Sequence, residues 1–297
     1  MIYYLCARPP SYTLGQYFHA WAPELAARFT VVTYDALEKA NPPKAGVYVF
    51  ADLDQLAPRG MELALRFRRS LEPLRDQVRV LNEPTRVLRR YDLLRALHER
   101  GINSFDAYRL GEGRHPRSWP VLLRREHEHL GAIGDLVRTT EELRAAVARM
   151  IAAGQSTKGL IAVEFRDTAD DRGVYRKYGA FLIGERLIPR HLLVSRHWCV
   201  KDPDLLEPDY IEEELRFVET FPRADEVRSI FEIAGIDYGR IDYSFYGDRL
   251  HVWEINTNPV LAYVKSAEPG APRREVNERF ARLARDAFLA LDAPFSA

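Results

Sequence analysis

The sequence predicts an α/β fold at the amino terminus and an α+β fold over the remainder, on three observations. Short apolar runs alternate with stretches of helical apolar spacing through the first ~85 residues. Strand-like and helical segments then follow in a mixed order, and two alternating runs near the carboxy terminus flank a short turn. A chain of 297 residues, 46% of them hydrophobic, is long enough to bury a large core and to form several subdomains.

The amino-terminal part has the pattern of β-α-β units on a largely parallel sheet. We predict a Rossmann-like domain over residues 1–85, although no glycine fingerprint accompanies it. The nearest match, Gly111-Glu112-Gly113, lies in a predicted loop and lacks the strand-to-helix context that dinucleotide binding requires. The predicted strands cover residues 2–6, 30–33, 47–51 and 77–81, and the predicted helices cover 16–29 and 61–74.

The rest of the chain divides into three predicted parts. A helix over residues 86–100, closed by Gly101, indicates a helical connection over 86–118. Residues 119–200 form a small α+β subdomain, and residues 201–297 form a carboxy-terminal subdomain. The predicted strands are 121–124, 159–165, 180–183, 241–245 and 251–255, and the predicted helices are 140–153, 210–217, 224–234 and 274–291.

The composition excludes several classes of function. Lysine and arginine number 43, as do aspartate and glutamate, so no excess charge indicates nucleic acid or a membrane surface as a partner. The apolar runs are far shorter than a membrane span, and the amino terminus has no signal-peptide pattern, so we expect a cytoplasmic protein. Cys6 and Cys199 are far apart, and we expect two buried thiols without chemistry.

The two runs near the carboxy terminus predict an antiparallel hairpin around Tyr246-Gly247-Asp248-Arg249. Because strand side chains alternate, we expect two opposite faces and Asp242 directly opposite Glu254. One predicted face carries the apolar residues Ile241, Tyr243, Phe245, Trp253 and Ile255, and the other carries Asp242, Ser244, Glu254 and Asn256.

The polar face of the hairpin is a candidate metal site. Two carboxylates that face each other repel unless a cation lies between them. Asp242, Glu254 and Asn256 offer hard oxygen ligands, which suit Mg²⁺ or Mn²⁺ shared with substrate phosphates. Arg240 adds a permanent positive charge that could stabilise a transferring phosphoryl group or a tetrahedral acyl intermediate. The alternative is a plain hairpin with a solvated polar face.

The segments Gly239-Arg240-Ile241-Asp242 and Glu254-Ile255-Asn256-Thr257-Asn258-Pro259 resemble the ATP-grasp superfamily, and within it D-alanine–D-alanine ligase and related carboxylate–amine ligases. The resemblance implies an ATP-grasp fold in which residues 119–200 are the small, lid-forming subdomain and residues 1–85 precede the ATP-grasp unit. It also implies that the three oxygen ligands bind two Mg²⁺ ions on ATP, and that Arg240 is the catalytic residue that contacts the acyl phosphate.

The resemblance suggests further contacts to the nucleotide. Arg124 stands where the family has a phosphate-binding lysine, and a strand-end surface charge is the alternative. Glu164 and Phe165 match the strand that holds adenine, Asp171 is a candidate ribose acceptor and Lys177 a candidate phosphate contact; an ordinary buried strand is the alternative. A loop over residues 127–135, with Gly131 and Gly134, matches the glycine-rich loop over the phosphates. His127 and His129 in it are either metal ligands or exposed polar residues.

The implied activity is an ADP-forming ligase that joins a carboxylate to an amine or a similar nucleophile through an acyl phosphate. Its substrate would be a small molecule or a peptide, and a homodimer is compatible with the resemblance. Val260 replaces the glycine that usually follows the motif proline, which argues against D-alanine as the acceptor. Two alternatives remain: an ATP-grasp kinase that phosphorylates a hydroxyl group, and a non-catalytic nucleotide-binding protein.

Overall fold

The computed structural model describes residues 1–39, 43–128 and 131–292. Within these residues, three sheets and their flanking helices form the fold. The strands are Ile2–Cys6 (β1), Phe29–Thr33 (β2), Gly46–Phe50 (β3), Val78–Leu81 (β4), Ala107–Arg109 (β5), Val121–Arg125 (β6), Leu160–Glu164 (β7), Tyr175–Ile183 (β8), Arg186–Ser195 (β9), Tyr238–Tyr246 (β10) and Arg249–Asn256 (β11). The α-helices are Gln16–Ala20 (α1), Pro58–Ser70 (α2), Arg90–Glu99 (α3), Thr140–Ala152 (α4), Pro208–Thr220 (α5), Ala224–Ala234 (α6) and Arg274–Leu291 (α7).

The first sheet is parallel, as the alternating pattern predicts, with strand order β2-β1-β3-β4. The helix predicted over residues 61–74 is α2 followed by a 3₁₀ turn at Glu72–Leu74, and the helix predicted over 86–100 begins only at Arg90. The helix predicted over 16–29 differs most in its extent. Residues 16–29 form the short α1 and then a 3₁₀ helix over Pro23–Arg28, with Ala22 between them in a non-helical conformation. Pro23 explains the break, because a proline restricts the residue before it and lacks the N–H that would continue the helix.

Two antiparallel sheets follow the parallel one. β5, β7 and β6 form a three-stranded sheet, and the larger sheet has the order β11-β10-β8-β9. The sequence did not predict β5 or β9. β9 contains Pro189, Arg190 and His191 in its middle, so it lacks the apolar alternation of a typical strand. β8 and β9 pair with each other and β8 pairs with β10, so residues 175–195 share a sheet with the predicted carboxy-terminal subdomain.

Asn82 connects the parallel sheet to the larger antiparallel sheet. It is fully buried and has a φ of 60°, a conformation that asparagine tolerates better than most residues. Its amide nitrogen donates to the carbonyl oxygens of Phe50 (3.0 Å) and Tyr238 (2.8 Å). Its amide oxygen accepts from the backbone N–H groups of Asp237 and Tyr238, both at 2.9 Å. The start of β10 is thereby held against the carboxyl ends of β3 and β4.

The apolar core lies mainly on the two faces of the larger antiparallel sheet. Phe181, Ile183 and Tyr238 pack with residues of β1, β3 and α7, so one face meets the parallel sheet. Ile241 and Tyr243 pack against α5 and α6 on the other face. Among residues 1–39, 43–128 and 131–292, no helix is both long and apolar enough to span a membrane.

Candidate nucleotide and metal site

The predicted hairpin is confirmed, and so is the opposition of its two carboxylates. β10 and β11 are antiparallel neighbours, with Tyr246 paired to Arg249 around the turn and Asp242 paired to Glu254. Gly247, in the turn, has a φ of 56°, which glycine adopts without the steric penalty of a Cβ. Asn256 pairs with Arg240 two residues further along the strands. The motif residues therefore share one short stretch of the sheet.

The predicted placement of Trp253 on the apolar face is wrong. A register shift after Asp242 pairs Tyr243 with Val252, which leaves Trp253 as an extra residue in β11. Val252 takes the core position, while the indole N–H of Trp253 donates to the hydroxyl of Ser244 at 2.9 Å on the polar face. Such a bulge re-aims side chains beside functional sites. Trp253 and Glu254, consecutive in sequence, both face the site.

The backbone of β11 beside this bulge is held by Asn103. Its amide nitrogen donates to the carbonyl of Val252 at 3.1 Å, and its amide oxygen accepts from the N–H of the same residue at 2.9 Å. β11 is an edge strand, so these two bonds satisfy backbone groups that have no neighbouring strand on that side. The ring of Phe105 stacks on the indole of Trp253 with the ring centroids 5.1 Å apart, a distance typical of aromatic pairs, and so helps to hold the indole in place.

The two carboxylates are neutralised by basic side chains. Arg240 donates to both oxygens of Asp242, at 2.7 and 3.0 Å, and the Lys177 ammonium lies 3.7 Å from the same carboxylate. Arg124 donates to Glu254 at 2.7 Å. Burial opposes the charge of Arg240, but Asp242 outweighs that effect and raises the pKa of Arg240. The repulsion that suggested a metal is therefore already compensated by the side chains of the chain itself.

Arg90 is a member of this network that the sequence did not reveal. It begins α3, its side chain is 4% exposed, and it donates to Glu254 at 2.6 Å. It also donates to the carbonyl oxygens of Arg125 (2.8 Å) and Glu128 (2.5 Å). Arg90 thus connects α3, the end of β6 and β11. Its neighbour Arg89 is equally basic in sequence, so only the folded structure distinguishes the two.

Replacement of Arg90 by methionine tests this connection. Because the guanidinium is buried and holds a carboxylate as well as backbone carbonyls, we expect a loss of about 3 kcal/mol in the free energy of unfolding. Urea-induced unfolding measures it. The control is Arg100→Met, at the exposed end of the same helix, for which we expect a change below about 0.5 kcal/mol. Equal stability of the two variants would contradict the connecting role of Arg90.

The carboxylates border a cavity of about 350 Å³ between the two antiparallel sheets. One part of its lining is apolar, with Leu122, Phe165, Trp198 and Trp253. The remaining lining is rich in basic side chains, and it includes Arg124, Arg166, Arg176, Lys177, Lys201 and Arg240 against the acidic Asp202, Asp242 and Glu254. An apolar end and an excess of positive charge suit a ligand that has a flat ring and several negative charges.

Seven of the sequence-predicted site residues line this cavity, namely Arg124, Phe165, Lys177, Arg240, Asp242, Glu254 and Asn256. Glu164 and Asp171 do not. Glu164 is 3% exposed, and its carboxylate accepts from the hydroxyl of Tyr108 at 3.0 Å and from the backbone N–H groups of Arg117 and Ser118 at 2.9 Å. Burial raises the pKa of Glu164, but these hydrogen bonds outweigh it and lower the pKa overall.

Asp171 is exposed in the loop between β7 and β8, while its neighbour Asp170 organises that loop. Asp170 accepts from the backbone N–H of Val174 at 3.0 Å and from Arg176 at 2.8 Å. Two adjacent aspartates therefore have different surroundings, a distinction that the sequence alone does not make.

The loop predicted over residues 127–135 lies only partly at the cavity. Gly131 belongs to the lining, and its φ of 86° favours glycine. His127 borders a different hollow, lined also by Arg89, Arg109 and Glu126. Burial, together with the nearby arginines, lowers the pKa of His127. His129, the other histidine considered as a metal ligand, lies outside the described residues.

The segment after the metal motif is anchored to the parallel sheet. The backbone N–H and the hydroxyl of Thr257 donate to Asp54, and the amide nitrogen of Asn258 donates to both oxygens of Asp52 at 3.0 Å. Tyr4, on β1, donates to the amide oxygen of Asn258 at 2.8 Å. Asp52 and Asp54 follow β3, so the carboxyl ends of two parallel strands position the end of the motif. Open α/β sheets commonly bind ligands at this edge.

The donor set of the hairpin fits a hard divalent cation. Asp242 and Glu254 face each other across one strand pair, and Asn256 adds an amide oxygen, which here accepts from the backbone N–H of Asn258 at 2.8 Å. Among the described residues, no group of three or more histidine, cysteine or acidic side chains could bind a metal together. A metal at the hairpin would therefore need oxygens from its ligand as well, and the basic side chains on both carboxylates would have to move.

The sequence matches no protein-family model and no curated protein sequence. Solved structures are similar over nearly the whole chain. D-alanine–D-alanine ligase from Bacillus anthracis, in a structure complexed with ATP, is 11% identical, with 98% of this chain and 97% of that chain covered at a TM-score of 0.54. D-alanine–D-alanine ligase from Coxiella burnetii is 12% identical, with 97% and 96% covered at a TM-score of 0.50.

Similarity at such low identity is evidence about the fold. The structural similarity covers all three sheets. It agrees with the resemblance to D-alanine–D-alanine ligase that the sequence shows around Asp242 and Glu254. The fold of this chain is similar to the fold of D-alanine–D-alanine ligases.

Proposed function

We propose that the protein is an Mg²⁺-dependent, ADP-forming ligase that activates a carboxylate with ATP and transfers the acyl group to an amine or a similar nucleophile. The observation that carries the proposal is the opposed pair Asp242 and Glu254 at the border of a cavity that is apolar at one end and strongly basic at the other. A nucleoside triphosphate has the matching distribution, with a flat base and a polyanionic tail.

The adenine would lie at the apolar end of the cavity. Phe165 and Trp198 meet edge to face there, with ring centroids 5.5 Å apart, and Leu122 completes the surface. We propose that Phe165 contributes backbone contacts to the base. Because the Glu164 carboxylate already accepts several hydrogen bonds, we propose that it acts by fixing the loop at Ser118 and that its contact with the adenine amino group is secondary. Asp171 would reach the ribose only if its loop moves.

The triphosphate would lie along the basic side chains. Arg124 and Lys177 are largely buried beside the carboxylates, at 12% and 17% exposure. Arg124 can transfer its hydrogen bond from Glu254 to a phosphate oxygen, and the Lys177 ammonium, 3.7 Å from Asp242, can donate to another. Burial lowers the pKa of Arg124, so an anionic ligand would stabilise its charge. Asp242, Glu254 and Asn256 would then hold Mg²⁺ together with phosphate oxygens. Mg²⁺ bound there supplies charge neutralisation for phosphoryl transfer.

The proposed reaction has two steps. An oxygen of the substrate carboxylate attacks the γ-phosphorus of ATP, and the bond to the bridging oxygen breaks, which yields an acyl phosphate and ADP. The nucleophile then attacks the acyl carbon, loses a proton and releases phosphate. Arg240 can stabilise the negative charge of both transition states, because its guanidinium lies at the cavity wall beside Asp242. Binding and alignment by the chain account for most of the expected acceleration.

We also propose the division of the chain that the sequence suggested, with a Rossmann-like domain over residues 1–85 ahead of the ATP-grasp unit. The parallel order β2-β1-β3-β4 supports this first domain. The helical connection over 86–118 and the small subdomain over 119–200 would meet the carboxy-terminal subdomain in the shared sheet of β8 to β11.

Trapping of the intermediate tests the proposed reaction. The protein is incubated with Mg²⁺, ATP, hydroxylamine and a panel of amino acids, dipeptides and hydroxy acids. A ligase is expected to form ADP together with a hydroxamate, because hydroxylamine captures an acyl phosphate whatever the natural acceptor is. A stable phosphorylated product without hydroxamate would instead identify a kinase. ATP binding without ADP across the panel would identify a non-catalytic nucleotide-binding protein.

A further inference from the structure

The strand β9 has a second bulge, and it lies in line with the metal motif. Gly179 pairs with His191 while Ala180 pairs with Pro189, so Arg190 is the extra residue. Because Gly179 also pairs with Asp242, one row of residues runs across the sheet through Glu254, Asp242, Gly179 and His191. Residues directly opposite each other in antiparallel strands project to the same face. His191 therefore belongs to the face that carries the two carboxylates.

The imidazole of His191 occupies the space over Gly179. A Cβ added at residue 179 would lie 2.7 Å from Cε1 and 2.9 Å from Cδ2 of His191, which leaves no room for any side chain there. Adjacent strands are about 4.8 Å apart, so the ring bridges most of the gap between β9 and Asp242 on β10. His191 is 6% exposed, and its Nε2 atom has no hydrogen-bond partner among the described residues.

Arg190 is buried on the same face of the sheet as His191, and only part of its guanidinium is hydrogen-bonded within the described residues. It is 5% exposed, and its Nε and Nη2 atoms donate to the carbonyl of Leu261 and the amide oxygen of Asn277, both at 2.8 Å. Its guanidinium lies 4.6 Å from the ring centroid of Phe280. Its Nη1 atom is buried without a partner in the part of the chain that the structure describes. Arginine stays protonated in proteins, so this is a buried positive charge bonded to neutral acceptors.

The surroundings of this pair carry more positive than negative charge. Lys177 on β8, Arg240 on β10 and Arg273 before α7 act on His191 together with Arg190. The nearest carboxylates are engaged elsewhere: Asp242 accepts from Arg240, and Glu214 accepts from Arg273 at 2.7 Å. Burial first, and then these cations, hold the pKa of His191 well below its ordinary value. Uncompensated buried charge is costly, so an anion is the missing partner.

We propose that Arg190 and His191 form the subsite for the anionic group of the substrate, the carboxylate that becomes the acyl phosphate, an inference that rests on the proposed ligase function. The apolar lining residues Phe165 and Trp198 mark the adenine end. The row of residues across the sheet begins at Glu254 and continues through Asp242 and Gly179 to His191. Arg190 and His191 therefore lie on the opposite side of Asp242 and Glu254 from the proposed adenine. Arg240, which lines the cavity, acts electrostatically on both Arg190 and His191, so an anion beside Arg240 would also be attracted by the charge of Arg190.

The probe is inorganic phosphate, titrated by calorimetry onto the protein with and without saturating Mg²⁺ and ADP. We expect Arg190→Gln to weaken phosphate binding at least tenfold while the affinity for ADP with Mg²⁺ changes less than twofold. The matched control is Arg186→Gln, at the exposed start of the same strand, for which both affinities should stay unchanged. Thermal melting checks that each variant is folded.

A second variant covers the case in which Arg190→Gln does not fold. Gly179→Ala leaves both side chains in the sequence but displaces the imidazole, and we expect it to weaken phosphate binding at least threefold. Unchanged phosphate affinity in a folded Arg190→Gln variant would overturn the subsite, as would absence of phosphate binding to the unmodified protein. An equal fall in ADP affinity would also overturn it, because Arg190 would then serve the nucleotide. Arg190-dependent phosphate binding in a protein that does not bind ADP would support the subsite and reject the ligase function.

Discussion

Replacement of Glu254 by glutamine is expected to lower Mg²⁺-dependent ATP turnover by at least about 10²-fold while the fold is retained, a magnitude typical for the loss of one charged group at a transition state. Glutamine keeps the shape of the side chain but removes the charge opposite Asp242. The metal then loses one of two carboxylates, and Arg90 and Arg124 lose the negatively charged acceptor that orients them at 2.6 and 2.7 Å. The measurement is ADP release under saturating ATP.

The control for this variant is Glu219→Gln, on the surface helix α5, where the side chain is 58% exposed and lies 3.9 Å from Arg279. We expect its turnover to match that of the unmodified protein. Circular dichroism would verify that Glu254→Gln is folded. Undiminished turnover in a folded Glu254→Gln variant would remove the basis of the proposed metal site.

Replacement of Arg240 by glutamine is expected to lower kcat by about 10²–10³-fold, as for other groups that stabilise charge developing in a transition state. The guanidinium is 18% exposed and is held by both oxygens of Asp242, so it is fixed before the substrate binds. Because the adenine end of the cavity is distant from this change, we expect the affinity for ATP with Mg²⁺ to vary less than tenfold. Steady-state kinetics and direct nucleotide titration separate these two effects.

Arg240→Lys is the companion variant, since it keeps the positive charge but cannot hold Asp242 with a planar pair of donors. We expect it to recover part of the lost kcat. A variant series in which glutamine, lysine and arginine give equal kcat would contradict a catalytic role. Loss of ATP affinity without a change in kcat would instead assign Arg240 to nucleotide binding.

The hairpin could be predicted from the sequence because its signals are local. The period-two pattern on either side of Gly247 and the turn residues predict the hairpin, whereas the pairing of Asp242 with Glu254 also depends on the register shift after Asp242. The helices α6 and α7 have the predicted bounds for a similar reason, since their apolar spacing is uninterrupted and Gly235, with a φ of 65°, ends the first of them.

The bulges could not be predicted in the same way, because they depend on pairing between strands. Trp253 and Arg190 look like ordinary alternating residues in sequence, and each becomes the extra residue only when its strand meets a neighbour. The wrong placement of Trp253 on the apolar face has a functional consequence. Strict alternation counted back from the core residue Ile255 puts Trp253 in the core, whereas the bulge places both Trp253 and Glu254 at the cavity.

Contacts between residues far apart in the sequence are the second feature of the site that sequence patterns do not reveal. Arg90 and Glu254 are 164 positions apart, and Asn258 and Asp52 are 206 positions apart. Nothing in the local sequence of Arg90 separates it from the other arginines of a basic chain region. Glu164 illustrates the reverse case: its place at the end of β7 suggested a ligand contact, while the fold directs its carboxylate to the backbone of residues 117 and 118.

The most direct test of the account is calorimetric titration of ATP onto the protein with Mg²⁺, with EDTA, and in the Asp242→Asn variant. If the hairpin is a metal–nucleotide site, ATP binds one to one with Mg²⁺, and its affinity falls at least tenfold when the metal is chelated or when Asp242 loses its charge. ATP binding of equal affinity under all three conditions would contradict the account, because the opposed carboxylates would then have no part in holding the nucleotide.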